Sequence, residues 1–289
     1  MQILLNGVVS GIGLAALALA FTLVYLPCRV FHIALAGVFA VAPFILLSLR
    51  GAGLPWTLAI VGTLMAGALL SAMVELWNHA PLRRKNASNG AHLISSLGIY
   101  LVISQLISIA WGDEGRNLRH NIDGLVSLGQ LALSRSQLAE AAVCVLLIVG
   151  TGSLLSFTTT GLKLRALAAN ENQFAIEGNN IQSTRLMAFA SSGLLASAVS
   201  LVSAYDVGFD PSLGLGVTLL AVVATVIGGR GSFVGPVVAG VALGILRTTV
   251  SWTLSAQWQD AVTFVLFSSA LLFVPDGLAG LTRRDRNTA

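Results

Sequence analysis

Four histidines, His32, His79, His92 and His120, are the first residues to test for chemistry. None stands in a His-Glu-x-x-His spacing, so no zinc-binding helix of the peptidase kind is encoded. No Gly-x-Ser-x-Gly elbow presents a nucleophilic serine either. The run Gly228-Gly229-Arg230-Gly231-Ser232-Phe233-Val234-Gly235 is glycine-rich enough to suggest a phosphate cradle. It lacks the Gly-Lys-[Ser/Thr] ending whose lysine reaches the phosphates, and the only lysines in the chain are Lys85 and Lys163. Cys28 and Cys144 have no metal or disulfide spacing and read as small apolar packing residues. The expectation is a protein that is not an enzyme, binds no metal and holds no cofactor of its own.

The polar residues that remain lie inside apolar stretches, where charge is costly and usually functional. Arg247 falls about midway along an apolar segment at 235–252. It is expected to face a partner acid, a water-filled path or an anionic substrate group, with snorkelling to the outer interface as the plainer alternative. His32 follows Arg29 at the inner end of a first hairpin, where it lines a path or is a satisfied interface histidine. Glu75 reads as an interface residue near the inner end of its helix. Asp206 and Asp210 flank an external turn containing Pro211 and read as solvated carboxylates.

The elements that must position these side chains follow from the scarcity of charge. Of 289 residues, 55% are hydrophobic and only 10% charged, with a mean hydropathy of +0.85. Soluble domains carry about 25% charged residues. Uncharged spans run 1–28, 30–49, 51–74, 86–112, 141–162, 186–205 and 211–229, with shorter ones at 231–246, 248–259 and 261–275. Crossing a bilayer takes about 20 residues, and backbone in lipid must pair internally. The expected fold is therefore all-α: one polytopic transmembrane bundle over 1–289 with roughly eight or nine helices. Ile3–Leu26 reads as a retained first helix, because no basic residue precedes it. Whether 34–49 crosses fully or re-enters decides between eight and nine.

Basic clusters set the orientation. Arg83-Arg84-Lys85, then Lys163, Arg165 and Arg185, then Arg283, Arg284 and Arg286 fit a cytoplasmic side. With Arg29 and Arg230 this side takes eleven of the sixteen basic residues. A helix at 90–111 then leads out, 112–136 is external, and 137–157 leads back in. The net charge of +4 is thus explained by topology rather than by a nucleic-acid partner.

The longest inward segment that is not a span is 158–184. Thr159 or Thr160 can cap a helix start and Gly178 suits a left-handed stop. Leu164, Leu167, Ala168 and Glu171 recur at helical spacing between them. The polar face, Asn170, Glu171, Asn172 and Gln173, is acidic and amide-rich, which suits docking to a protein better than lying on anionic lipid. Further on, Gly235-Pro236 suits a helix start, and Gly240 and Gly244 form a Gly-x-x-x-Gly face for close helix approach. Gly228, Gly229 and Gly231 make a tight inner turn before it.

Taken together, these residues resemble the permease subunits of branched-chain amino acid ABC importers, the shorter of the two paired types. The likeness runs over nearly the whole chain. It is carried by Leu5-Asn6-Gly7 with Gly11, Ala15-Ala16-Leu17 and Val24-Tyr25, and by Phe31-His32-Ile33-Ala34. Arg165-Ala166, with Gly178 thirteen residues after the arginine, adds to it. The most specific match is Gly228-Gly229-x-Gly231-Ser232-x-x-Gly235 with Gly240 and Gly244. Asp260-x-x-x-Phe264 and Pro275-Asp276-Gly277-Leu278-x-Gly280 complete it.

The resemblance implies a membrane pore made with a second permease, two cytoplasmic ATPases that bind the ATP, and a periplasmic binding protein that delivers the amino acid. It implies an inner-membrane location. It also implies that 158–184 holds a coupling helix, with Arg165, Ala166, Leu167, Glu171 and Gly178 as the ATPase-coupling residues. Arg247, His32 and Tyr25 are the candidates for the substrate pathway. Departures occur at Leu35-Ala36, Phe174, Asn179-Asn180 and Arg247, and they leave open a permease for urea, short amides or another small carboxylate. An ion-coupled secondary transporter is the rival of another class; it predicts paired intramembrane acids, which are scarce.

Overall fold

A computed structural model describes residues 1–118, 124–128, 131–229 and 232–273. Twelve α-helices occur among the described residues. They are α1 (Gln2–Cys28), α2 (Leu35–Gly51), α3 (Trp56–Val74), α4 (Ala80–Arg84), α5 (Asn89–Trp111), α6 (Arg135–Phe157), α7 (Thr159–Ala169), α8 (Glu171–Ile176), α9 (Ile181–Asp206), α10 (Leu213–Gly228), α11 (Gly235–Thr253) and α12 (Trp258–Phe273). Six helical stretches are long and apolar enough to cross a membrane: Gln2–Cys28, Trp56–Arg84, Asn89–Trp111, Arg135–Phe157, Ile181–Asp206 and Gly235–Thr253. Leu35–Gly51 and Leu213–Gly228 are shorter apolar helices. The all-α polytopic bundle is therefore what the chain forms.

Helix ends fall where the local chemistry puts them. Ser88 accepts from Ala91 N–H at 3.3 Å and caps α5. Asp210 Oδ1 accepts from Ser212 N–H at 2.8 Å and Leu213 N–H at 3.0 Å, capping α10. That carboxylate thus organises a helix start rather than merely facing solvent. Arg50, in the last turn of α2, donates to Leu54 O at 2.5 Å and lies 4.4 Å over the Trp56 ring.

Two features depart from the sequence reading. The helix begun at Trp56 does not stop at the first charge. It continues through a π-helical turn, Glu75–His79, into α4 and ends among the arginines at Arg84. The segment before α6 also carries a short antiparallel hairpin, β1 (Leu125–Leu128) with β2 (Leu131–Ser134), pairing Leu125 with Ser134 and Leu128 with Leu131. It adds a ribbon to an otherwise helical chain.

The chain forms two compact units. One comprises Met1–Leu19, Asn121–Val149 and Leu220–Ala289; the other comprises Ala20–His120 and Gly150–Leu219. In the first, α1 and α11 approach backbone to backbone. A methyl on Gly240 would come within 2.6 Å of Ala15 Cα, one on Gly11 within 2.7 Å of Val241 O, and one on Gly244 would meet Gly11 Cα. Close approach of this kind needs small residues on both helices. In the second, α2 is buried along Leu35–Phe44 and at Leu46, and packs on α3, α5 and α9. Phe44 stacks edge-on against Phe209 at 4.9 Å and tilted against Trp111 at 5.7 Å. A helix so enclosed by protein need not match the thickness of lipid.

Candidate functional site

The second unit gathers a cluster of buried polar side chains around the π-helical turn. Glu75, Asn78 and His79 lie on that turn and are buried, as are His32 between α1 and α2, Ser71 on α3, and His92 and Ser96 on α5. His32 Nε2 shares a hydrogen bond with Ser71 Oγ at 3.2 Å, and His79 Nδ1 with His92 Nδ1 at 3.0 Å. Ser95 donates to Asn78 Oδ1. The His32 ring packs 4.7 Å from Phe189 and 5.8 Å from His79. Ser96 Oγ accepts the Ala34 N–H at 2.8 Å, fixing the entry to α2. Burial holds the His32 imidazole well below its ordinary pKa, with the nearby His79 adding to the effect. Burial thus favours its neutral form.

The expected place of Glu75 at an interface is thereby corrected. Its side chain is 0% exposed and forms an ion pair with Arg83, two turns along the same helix. Gln182 Nε2 on α9 donates to the same carboxylate oxygen at 3.4 Å. Burial of a carboxylate requires such partners, and the basic cluster that sequence alone puts in a loop supplies one.

Tyr25 sits at the end of α1 in a small aromatic group, 5.8 Å from Phe21 and 5.0 Å from Phe31. Tyr25 and His32 thus belong to the same buried end of this unit, linked through Phe31. Arg247 belongs to the first unit. Its guanidinium donates to Asp260 Oδ1 at 2.9 Å, Thr263 Oγ1 at 3.1 Å and Gln259 Oε1 at 3.2 Å, all on α12. Of the roles expected for it, the partner acid is the one present. At 90% exposure Asp260 is a weak, screened partner, so Arg247 fastens the α11–α12 hairpin chiefly through neutral side chains.

Segment 158–184 is two helices rather than one. Thr158 Oγ1 accepts from Gly161 N–H at 3.1 Å and starts α7, one residue earlier than expected. Asn170, at φ −155° and ψ 107°, ends α7 and caps α8 by accepting from Gln173 N–H at 3.1 Å. Asn-Glu-Asn-Gln carries this break in its sequence, since Asn caps and Gln stands three residues on. Gly178 closes α8 at φ +79°. Leu164, Leu167 and Phe174 are buried, whereas Arg165 and Glu171 are exposed and Ala166 is half-buried. Glu171 receives the Arg185 guanidinium of α9 at 2.7 Å. Towards the other end of α9, about 25 Å from Arg185 by helix rise, Phe39, Ser200, Ser203, Gly208 and Asp210 line a small recess.

Among the packing glycines, Gly228 and Gly235 meet backbone to backbone across the turn between α10 and α11. Gly229 there has φ +101°. Ser232 Oγ accepts from Gly235 N–H at 3.2 Å at the start of α11. Gly231 and Arg230 lie outside the described residues, as do Arg119, His120 and the C-terminal residues from 274 on, with their Pro275-Asp276-Gly277 run and basic cluster. Among the described residues no group of three or more metal-ligating side chains occurs.

A family model described as the branched-chain amino acid transport system permease component matches residues 3–271. The high-affinity branched-chain amino acid transport system permease protein LivH of Salmonella typhimurium is 24% identical, covering 97% of this chain and 95% of that protein. The corresponding permease BraD of Pseudomonas aeruginosa is 23% identical over the same shares of each. The autoinducer 2 import system permease protein LsrC of Enterobacter sp. is 29% identical over 50% of this chain and 44% of its own length.

Proposed function

The chain belongs to the permease family of branched-chain amino acid transport systems, a transport component and not an enzyme, and on that premise we propose how it works. It is the inner-membrane permease of an ATP-driven importer for branched-chain or related amino acids. A second permease completes the pore, two cytoplasmic ATPases bind and hydrolyse the ATP, and a periplasmic protein delivers the substrate. The chain itself needs no cofactor. The observation that carries this reading is the match of the permease family over 3–271.

Segment 158–184 is the part of the chain that meets the ATPase. What supports this is its division of labour: Leu164, Leu167 and Phe174 anchor it to the protein, leaving Arg165, Glu171 and the Gly178 turn outward. An exposed surface built on a buried ridge transmits a push, because packed interiors are stiff. The pathway runs through the second unit, from the recess at the outer end of α9 to the His32 and Tyr25 end near the coupling segment. Arg247 fastens the α11–α12 hairpin of the first unit. Alternating access then means that closure of the ATPases moves 158–184 and, through α9, the buried polar cluster.

The test is reconstitution of all subunits in liposomes with labelled leucine outside and ATP inside. ATP-dependent uptake that needs the binding protein is expected. If the complex moves no amino acid but accumulates urea or a short amide, the substrate assignment falls. If the isolated chain concentrates solute on an ion gradient, the importer reading falls as well.

A further inference from the structure

The buried charges near the coupling segment do not saturate one another. Glu75 uses only Oε1, for Arg83 and Gln182. Its Oε2 is buried with no partner, as are Arg83 Nη1 and Arg185 Nε. Arg185 meanwhile gives one nitrogen to Glu171 on α8. An unpaired buried half-charge is expensive, and here acceptor and donor both have capacity to spare.

Their arrangement on α9 says what that capacity is for. Gln182 and Arg185 are three residues apart and so share a face, with Cβ atoms about 5–6 Å apart. Gln182 already touches Glu75. Arg185 thus starts one helical turn from a side chain that already reaches that carboxylate. The receiving carboxylate stands on a π-helical turn, an element found mostly at functional positions and a natural point for a helix to change register. Arg185 is 11% exposed while its present partner Glu171 is 48% exposed. The current pair is thus the weaker, screened one, and the alternative is buried.

We infer that Arg185 is a two-position latch that holds Glu171 of the coupling segment in one state and transfers to Oε2 of Glu75 in the other. Displacement of α8 by an ATPase would release the guanidinium, and its arrival at Glu75 would complete that carboxylate and pull on the π-turn that also carries Asn78 and His79. The two arrangements are discrete, as a transmission element requires. The inference rests on the assignment of 158–184 as the coupling segment.

The experiment uses the whole complex in liposomes, with ATP hydrolysis and amino acid uptake read together. Glu171→Gln releases the latch, so basal hydrolysis rises roughly two- to five-fold, the range of an exposed ion pair, and depends less on loaded binding protein. In a Glu171→Gln/Glu75→Gln double variant that rise disappears, because the destination has lost its charge. Should Glu75→Gln fail to assemble, Glu75→Asp keeps the charge for Arg83 but withdraws it by one methylene, and it too abolishes the rise. A Glu171→Gln complex that hydrolyses ATP like the wild type overturns the latch. So does a rise that persists in the double variant. Arg165→Glu separates the two readings. If it abolishes stimulation while Glu171→Gln is silent, only the latch fails. If Arg165→Glu is itself silent, the coupling assignment fails and takes the latch with it.

Discussion

Replacing Gly178 isolates a backbone cost at the end of α8, in the segment proposed to meet the ATPase. Gly178 has φ +79°, its N–H donates to Ala175 O at 3.0 Å, and a Cβ built on it meets nothing within 4 Å. Crowding is therefore absent, and Gly178→Ala carries only the left-handed penalty of roughly 1–2 kcal/mol. One to two kcal/mol is a factor of about 5–30 in an equilibrium. That is the expected loss in the population of the α8 turn, and hence in apparent affinity for the ATPase, if docking selects that turn. Gly178→Asn tolerates the left-handed region through its short polar side chain and should fall between glycine and alanine. Gly178→Pro fixes φ near −65° and removes the donor to Ala175, which costs about 3 kcal/mol. The assay is a titration of ATPase subunits onto the permease pair in nanodiscs, with stimulated hydrolysis as a second readout. The expected order is Gly, Asn, Ala, Pro. Wild-type affinity for both Ala and Asn would refute the claim that this turn fixes the docking geometry.

Further outcomes follow from the same structure. Gly244→Val forces α11 off α1, because any Cβ there meets Gly11 backbone; overpacking of about 1–3 kcal/mol should lower the melting temperature in detergent, while Gly216→Ala, with open space around it, should not. His32 has a depressed pKa, so the unfolded chain binds the extra proton; stability is full above the ordinary value near 6.5 and falls by up to about 1.4 kcal/mol per pH unit below it. His32→Gln should remove its share of that dependence of melting on pH, and an unchanged slope would assign it elsewhere. A double-mutant cycle between Arg247→Gln and Asp260→Asn should give a coupling below about 1 kcal/mol, since Asp260 is 90% exposed; a coupling of several kcal/mol would mean that the carboxylate is buried in the assembled importer.

The helical spans were legible because apolar runs and their punctuation are local. The stretches 90–111, 137–157 and 235–252 lie within two residues of α5, α6 and α11. Gly178 as a left-handed stop was legible for the same reason. The break at Asn170 was harder, because an asparagine on a polar helix face looks like any solvated residue until its cap is seen. The π-turn was not legible, since nothing in Glu75-Leu76-Trp77-Asn78-His79 demands an extra residue per turn. The partners that its residues find from other helices are tertiary: Gln182 from α9 and His92 from α5. Glu75 read as an interface residue because its pairing with Arg83, eight residues on along the same face, needs the helix to run on past the first charge. The hairpin had a signal in Leu125-Val126-Ser127-Leu128 and Leu131-Ala132-Leu133-Ser134 around Gly129, which the surrounding charges obscured.

The contact between α1 and α11 has a bearing on biogenesis. Ser10 and Thr248, which meet at 3.4 Å, are 238 residues apart in the chain. At a synthesis rate of about 5–20 residues per second, the first helix enters the bilayer at least ten seconds before its mate has been made. Through that interval its small-residue stripe, Gly7, Gly11 and Ala15, faces lipid or the insertion machinery with no complementary surface. α11 and α12, made long after α1, therefore close the first unit onto it, and truncation before residue 235 should leave an inserted but unassembled chain for quality-control proteases to remove.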